Sequence, residues 1–218
     1  MASDQLTFYS YRLCPYAQRV AITLRELNIE PDQRVEIDID NKPDCRYAQI
    51  NPNGKVPAFR VGKEVLVESL IIVDYLIEKY GAGTGLLGED PLDRAQSRIF
   101  INALESILPH YKQALLSGPE HYAELLKGLR TINQLLTKQS EGPYFLGKTF
   151  SCADICVTPF LSLISMLPEF GFEIPNDNDY ARLNEYIKVL LTRPSVREVL
   201  PGKDEAIKRV KEAKNKRP

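Results

Sequence analysis

Residues 6–27 read LTFYSYRLCPYAQRVAITLREL, and two successive patterns in this stretch decide the fold. The first five residues form a short apolar and aromatic run, which predicts a strand over 6–10. Apolar residues then recur at helical spacing, which predicts a helix from about Cys14 to Asn28. Pro15 falls in the first turn of that helix, where proline is tolerated. The sequence therefore predicts a strand that leads into a helix beginning at a cysteine.

Beyond this helix, the apolar period changes repeatedly up to residue 80, as expected where strands and helices alternate. The predicted order is β-α-β-α-β-β-α, which is typical of a small mixed-sheet domain. After the first strand and helix, the predicted elements are a strand over 34–40, a short helix over 43–49, a strand from 56 to 59, a hairpin return over 64–67 and a helix over 70–80.

A glycine-rich segment separates this domain from a second half that reads as wholly helical. Residues 81–92 contain four glycines and one proline, which suits a linker. We therefore predict a first domain over 1–81, a linker over 82–92 and an all-helical domain over 93–218. The predicted helices lie near 91–116, 119–139, 152–166, 180–192 and 203–215.

Composition excludes several classes of function. The 218 residues carry 28 basic and 29 acidic side chains without a dominant block, which argues against a nucleic-acid partner. No apolar run approaches the roughly 20 residues of a membrane helix, and the N-terminus lacks the pattern of a signal peptide. We therefore expect a cytoplasmic protein. The cysteines at 14, 45, 152 and 156 have no metal-ligand or disulfide-framework spacing, so reduced thiols and no metal site are predicted.

Cys14 is the residue most suited to chemistry. At the start of a helix its sulfur faces unpaired backbone N–H groups and the positive end of the helix dipole, which favour the thiolate. We therefore expect the pKa of Cys14 to fall below the roughly 8.5 of an ordinary thiol, so that it is nucleophilic at neutral pH. The alternative reading is a cysteine that merely lies near a helix end.

The segment Cys14-Pro15-Tyr16-Ala17 resembles the redox motif of thioredoxin-like folds, but Ala17 occupies the place of the second cysteine. A mixed disulfide at Cys14 cannot be resolved from within such a motif, so an external thiol must attack it. Glutathione is the abundant cytosolic candidate. The sequence therefore predicts a monothiol site that uses glutathione.

Two further segments support a glutathione site. Val56-Pro57 follows a turn and precedes a strand, as in thioredoxin-like folds where the residue before a cis-proline pairs with a cysteinyl peptide. Glu68-Ser69 lies at a helix start, where N–H groups can hold a carboxylate and Glu68 can take an amine. Each dipeptide alone is a common turn or cap signal. Their order and spacing relative to Cys14 predict three segments that meet at one pocket.

Together these segments resemble the cytosolic glutathione transferases, and most of all their cysteine-type omega class. Tyr9-Ser10-x-Arg12-x-Cys14-Pro15-x-Ala17-x-Arg19 is similar to the omega active-site segment, and Ser151 to Asp154 resembles an internal capping box of the family. Pro159 predicts an end or kink in the helix that this box begins. The motifs that follow Arg19 in the family's order are Asn41-Lys42-Pro43, Asn51-Pro52-x-Gly54-x-Val56-Pro57 and Glu68-Ser69.

The resemblance implies a thioredoxin-like domain followed by an all-helical one, and a role for each matching residue. Cys14 would form the mixed disulfide, and Lys42 would help to hold the glycyl carboxylate of glutathione. The cysteinyl backbone would pair with Val56 beside Pro57. The remaining implied contacts to glutathione are Glu68 and Ser69 at its γ-glutamyl end, with Leu13 and Tyr16 packed around the tripeptide.

The implied activity is glutathione-dependent reduction of mixed disulfides or dehydroascorbate, or removal of glutathione from glutathionyl adducts, with weak conjugation to electrophiles. Most transferase classes instead use a tyrosine or serine hydroxyl, and Tyr9, Ser10 and Tyr11 leave that alternative open. A non-catalytic glutathione- or ligand-binding protein is the alternative from another class. A membrane-inserting relative with a cysteine at this helix start is a further one.

The second substrate is expected on the helical domain, opposite Cys14. Apolar residues at helical spacing are also typical of plain core, so these positions are hypotheses. The resemblance also implies a homodimer. The residues predicted for the second-substrate site are Ile107, His110, Tyr111 and Met166, with Phe170 as a further lining residue.

Overall fold

The computed structural model describes residues 5–39, 45–117, 119–139 and 142–215. Their internal contacts divide them into two compact units. The first unit comprises the described residues up to Thr84 together with Glu198–Leu200. The second comprises Gly85–Arg197 and the described residues from Pro201 onward.

The first unit contains a four-stranded mixed sheet and three helices, in the order that the sequence predicts. The strand order is β2-β1-β3-β4, in which β1 runs parallel to β2 and antiparallel to β3, and β3 and β4 form a hairpin. The elements are β1 (Leu6–Ser10), α1 (Pro15–Glu26), β2 (Gln33–Glu36), α2 (Cys45–Ala48), β3 (Ala58–Val61), β4 (Glu64–Val67) and α3 (Ser69–Tyr80).

Two elements were predicted to extend further along the chain than they do. Strand β2 ends at Glu36 rather than at residue 40, because its parallel neighbour β1 ends at Ser10 and offers no further partner. The last interstrand bond runs from the Ile37 N–H to the Ser10 carbonyl, at 2.7 Å. Helix α1 ends at Glu26, and Asn28 has a φ of +53°, which a continuing right-handed helix excludes.

The two faces of the sheet are filled differently. Phe8 and Phe59 lie opposite each other on β1 and β3, with ring centroids 6.2 Å apart. Helices α1 and α3 pack against each other and bury Val20, Leu24, Ile72 and Leu76, among others. A smaller cluster on the opposite face contains Tyr9, Ile37, Tyr47, Val56 and Ala58, with Cys14 packed at its edge.

The second unit is helical throughout its named elements. Pro109 and Pro159 both lie inside helices. Of the predicted end or kink at Pro159, the end is wrong, since the helix continues to Ile164. The elements are α4 (Pro91–Ser117), α5 (Pro119–Gln139), α6 (Cys152–Ile164), a 3-10 helix (Leu167–Phe170), α7 (Ala181–Thr192), α8 (Pro194–Val199) and α9 (Lys203–Asn215).

Helix α6 begins with a fully buried capping box. The carboxylate of Asp154 accepts hydrogen bonds from the Ser151 N–H and hydroxyl, both at 2.7 Å, and from the Phe145 N–H at 2.9 Å. The Tyr186 hydroxyl donates to the same carboxylate at 2.6 Å. Because Asp154 and Tyr186 are both inaccessible to solvent, these four donors have no water to replace the carboxylate. The helix start is therefore locked to α7 as well as to its own cap.

One stretch of the described chain, Cys152–Phe170, has the length and apolar composition of a membrane-spanning helix. The sequence predicts no apolar run of this length. It corresponds to α6 and the 3-10 helix, and 67% of its 18-residue apolar window is buried inside the protein. A core helix at the centre of the helical unit accounts for this composition.

We predict that Asp154→Ala lowers the free energy of unfolding by roughly 3 kcal/mol or more, since it leaves several buried donors unpaired. Asp90→Ala is the matched control, because Asp90 accepts the N–H groups of Leu92 and Asp93 at the exposed start of α4. That exposed cap is worth about 1 kcal/mol. Urea denaturation at neutral pH measures both losses. Equal losses for the two variants would contradict the buried network.

Candidate active site

Cys14 occupies the N-cap position of α1. Its backbone is extended, with φ −86° and ψ 118°, and its side chain makes no capping hydrogen bond to the helix. Pro15 follows as the first helical residue, and the first turn contains no acidic side chain. The N–H groups of that first turn and the helix dipole therefore act on the half-buried sulfur without a competing carboxylate. This placement is the one that the sequence predicts for Cys14.

The thiol of Cys14 faces the chain just before β3. Its Sγ lies 3.8 Å from the Val56 carbonyl oxygen, within hydrogen-bonding range for sulfur. The Val56–Pro57 peptide bond is cis. In the described part of the chain, no group accepts a hydrogen bond from the Val56 N–H. The structure thus brings Cys14, Val56 and Pro57 together and leaves a backbone donor beside the thiol.

The segment that contains Val56 is held by side chains from the preceding turn and helix. The Tyr47 hydroxyl donates to the Lys55 carbonyl at 2.7 Å, and the Asn51 amide donates to the same oxygen at 2.6 Å. Burial raises the pKa of Tyr47 to about 12. Repulsion between its phenolate form and the ionised forms of Tyr9 and Cys14 raises the pKa by less. Tyr47 therefore remains a neutral hydroxyl donor at physiological pH.

The loop between β1 and Cys14 is held from two sides. The Glu36 carboxylate accepts the Arg12 N–H at 2.7 Å and the Ser10 hydroxyl at 3.4 Å. The Gln18 side-chain amide donates to the Arg12 carbonyl at 2.9 Å. These contacts fix the turn that delivers Cys14 to the helix start.

The beginning of α3 forms a second part of the site. Glu68 is its exposed N-cap residue, and no side chain caps this helix either. Glu68 has a φ of +69°, which a non-glycine residue adopts at a cost of about 1–3 kcal/mol. Ser69 is 6% exposed and is the first helical residue. The unpaired N–H groups there suit an anionic ligand group.

A buried arginine connects the two helix starts. Arg19 lies on α1, is 1% exposed, and donates from Nη1 to the Ser69 hydroxyl at 3.2 Å. Its guanidinium carbon also lies 5.4 Å from the centroid of the Tyr16 ring. A buried guanidinium adds positive charge behind the start of α3, where an anion would bind. Arg19 belongs to the segment that resembles the omega active site, but the sequence predicts no role for it.

The remaining residues predicted to contact glutathione are Leu13, Tyr16 and Lys42. Leu13 is half-buried and Tyr16 is 40% exposed, and both flank Cys14 in the chain. Lys42 lies outside the described residues. Of the alternative hydroxyl residues, Tyr9 is a core residue whose ring packs on Tyr47 at 5.8 Å between centroids, and the Ser10 hydroxyl donates to Glu36.

The predicted second-substrate residues have different surroundings in the helical unit. Ile107 is 4% exposed and packs so closely on Gly128 of α5 that a Cβ there would lie 2.1 Å from its Cγ2. Ile107 therefore contributes to the packing of α4 on α5. The His110 ring lies 6.5 Å from that of His121. Met166 and Phe170 are half-buried around the 3-10 helix, and Tyr111 lines an apolar groove.

The sequence predicts no metal site. Within the described residues, no three His, Cys, Asp or Glu side chains cluster as metal ligands would. Cys152 and Cys156 are buried on α6 with free thiols, which makes them inaccessible to reagents in the folded protein.

Two family models match most of the chain. The model described as the N-terminal domain of glutathione S-transferase matches residues 8–85, and the one described as the C-terminal domain matches residues 102–188. Together they span the sheet unit with its helix starts, and much of the helical unit.

Individual relatives belong to more than one kind of transferase. Glutathione S-transferase omega-1 of Sus scrofa is 30% identical, over 73% of this chain and 67% of its own length. Glutathione S-transferase U25 of Arabidopsis thaliana is 29% identical, over 98% of this chain and 97% of its own. The crystal structure of glutathione transferase Omega 3C from Trametes versicolor superposes with a TM-score of 0.81 at 31% identity, covering 99% of this chain and 94% of that one.

Proposed function

The chain belongs to the glutathione S-transferase family, and from this premise we propose that it is a thiol transferase acting through a Cys14–glutathione mixed disulfide. The observation that carries the proposal is the cysteine at the N-cap of α1, whose Sγ lies 3.8 Å from the Val56 carbonyl oxygen. Relatives of different kinds match at nearly equal identity. The type of activity is therefore argued from Cys14 itself.

The position of Cys14 favours its thiolate. Removing a proton from the sulfur creates a negative charge beside the positive end of α1, and no acidic side chain in the first turn opposes it. The thiolate rather than the thiol is the nucleophile in disulfide exchange. A serine or tyrosine hydroxyl at this position would hold the glutathione sulfur but could not bond to it.

The proposed cycle has two exchange steps. The Cys14 thiolate attacks the glutathione sulfur of a mixed disulfide RS–SG, forming Cys14–S–SG and releasing RS⁻, which takes up a proton. A second glutathione thiolate then attacks the glutathione sulfur bound to Cys14, which yields oxidised glutathione and restores the Cys14 thiolate. In sum, RS–SG and one glutathione thiol give RSH and oxidised glutathione, so one disulfide replaces another.

Ala17 makes the external thiol necessary. It occupies the position where a dithiol enzyme has its second cysteine, and it is 2% exposed. With no sulfur at that position, the mixed disulfide waits for a second glutathione. The chain is therefore proposed as glutathione-specific rather than as a general protein disulfide reductase.

Glutathione has a proposed partner for each of its parts. The Val56 backbone would pair with the cysteinyl residue, while Ser69 and the N–H groups at the start of α3 would hold the γ-glutamyl carboxylate. Glu68, exposed beside them, would take the γ-glutamyl amine. Arg19 would stabilise the bound carboxylate through Ser69. The outer residues proposed to contact the tripeptide are Leu13, Tyr16 and Lys42.

The proposed substrates are small oxidised or adducted molecules. Besides mixed disulfides, dehydroascorbate would be reduced to ascorbate at the expense of two glutathione molecules. A glutathionyl adduct would pass its glutathione to Cys14 and release the remaining carbanion equivalent as its protonated product. Conjugation to electrophiles would be weak, because Cys14 captures the glutathione sulfur. A cytoplasmic location, where reduced glutathione is abundant, fits all three reactions.

We expect Cys14→Ser to lower glutathione-dependent turnover of hydroxyethyl glutathionyl disulfide by at least about a hundredfold, since the covalent step is lost. Cys152→Ala is the control and keeps turnover, because its thiol is buried on α6. Ala17→Cys should form an internal disulfide with Cys14 after the first exchange, which intact mass detects as loss of the bound glutathione. Wild-type protein that binds glutathione without turnover would favour a non-catalytic carrier instead.

We also propose that the protein is a homodimer. Ile71 on α3 is 57% exposed, and Leu92 and Ile99, two turns apart on α4, are 63% and 59% exposed. Light scattering should show a dimer for the wild type and a monomer for Leu92→Glu/Ile99→Glu, while Thr131→Glu on the exposed face of α5 stays dimeric. A wild-type monomer would contradict this proposal, and a dimer that survives the double substitution would exclude Leu92 and Ile99 from its interface.

A further inference from the structure

The helical unit contains a groove between the end of α6, the 3-10 helix with the loop that follows it, and α7. It has a volume of about 410 Å³. The apolar part of its lining comes from Pro168 on the 3-10 helix, Ile174 in the loop, and Ile187 and Leu191 on α7. This volume falls within the roughly 300–1,000 Å³ of pockets that take small organic molecules, so the groove can hold a molecule the size of an amino acid.

The loop wall of this groove is held by side chains from two helices. The Tyr122 hydroxyl of α5 donates to the Glu173 carbonyl, and the Tyr122 ring packs on Phe172 with 4.9 Å between centroids. The Asn184 side-chain amide of α7 donates to the Pro175 carbonyl at 3.2 Å. Because these contacts already order the loop, a ligand binds there without the entropy cost of ordering it.

Two opposite charges line the groove without pairing. Glu173 lies in the loop and Lys188 lies on α7, and both residues are exposed. Within the described residues, neither forms an ion pair, with the other or with a third side chain. Glu185, one turn before Lys188 on α7, pairs instead with Arg182 at 3.8 Å. A carboxylate and an ammonium group therefore border one opening and do not neutralise each other across it.

Two carboxamides and a hydroxyl add to the polar lining. Asn176 in the loop and Asn184 on α7 both line the groove. A carboxamide carries donors and an acceptor, so these side chains can bind the N–H groups and oxygens of a ligand that one glutamate and one lysine leave over. The Ser165 hydroxyl donates to the Ser162 carbonyl at 2.7 Å, which leaves its lone pairs as acceptors. The polar lining can therefore satisfy an ammonium group and a carboxylate together.

From this arrangement we propose that the groove binds free α-amino acids with apolar side chains. The ammonium group of the ligand lies at Glu173, its carboxylate at Lys188, and its side chain against Ile187 and Leu191. A simple anion would meet Glu173 and a simple cation would meet Lys188, each a like-charge contact, whereas a zwitterion meets both charges with the opposite sign. The inference goes beyond the proposed thiol transfer and does not rest on it, because the binding requires no chemistry at Cys14.

The test compares L-phenylalanine with two analogues that each lack one charged group. Phenylpropanoate has no ammonium group, and phenethylamine has no carboxylate. NMR titration of the isotope-labelled full chain, without glutathione, should show phenylalanine binding about threefold more tightly than either analogue at low ionic strength, since each exposed charge pair contributes modestly. The advantage should shrink as salt is added. Equal affinity for the three compounds at low salt would overturn the proposal.

Two charge variants should change the three affinities in opposite patterns. Glu173→Gln should weaken the binding of phenylalanine and phenethylamine about threefold and should not weaken that of phenylpropanoate. Lys188→Gln should weaken the binding of phenylalanine and phenylpropanoate by a similar factor and should not weaken that of phenethylamine. Lys148→Gln is the matched control and should bind all three as the wild type does, because Lys148 is an exposed lysine of the same unit that does not line the groove.

The same titration locates the ligand, since the backbone amide resonances of Ile174, Ile187 and Leu191 should shift most. No measurable binding of phenylalanine, wild-type affinities in both charge variants, or the largest shifts outside the groove would overturn the proposal. Circular dichroism confirms that each variant is folded. Because phenylalanine is titrated without turnover, this proposal can fail while the Cys14 mechanism stands, and the reverse outcome is equally separable.

Discussion

The proposed chemistry depends on the position of Cys14 beside the backbone N–H groups at the start of α1. The residue at the N-cap position is Cys14, whose side chain makes no capping hydrogen bond to them. At the start of α6 the chain deals with the same kind of donors differently, through the buried carboxylate of Asp154. One helix start is thus closed for stability, and the other is left open beside a sulfur that benefits from its positive potential.

Other side chains serve to hold that open helix start next to its partners. Tyr47 and Asn51 both donate to the Lys55 carbonyl, which fixes the chain before the Val56–Pro57 bond. Arg19 connects α1 to Ser69 at the start of α3. The positive φ of Glu68 costs conformational free energy locally, and rigid structure around the residue can hold it in that conformation. A binding surface assembled from three separate segments requires fixed positions of this kind.

The sequence predicted the order of strands and helices because hydrophobic period is a local signal. It predicted Cys14 beside Val56 because the family motifs keep their order. It overestimated β2, whose end depends on where β1 stops, and it missed the burial of Arg19, because arginine is usually exposed. It also gave no sign that Ile107 packs on Gly128, because that contact depends on how α4 and α5 meet. Pairing and packing between distant segments were beyond local patterns.

The most direct test of the central claim is the intact mass of the wild-type protein after exposure to oxidised glutathione, followed by peptide mapping. The Cys14 thiolate should attack the disulfide, release one glutathione and retain the other, so the map should place a glutathionyl adduct on Cys14 that reduced glutathione removes. A protein that binds glutathione but acquires no adduct at Cys14 would contradict the account, because the sulfur at the start of α1 would then not be the nucleophile.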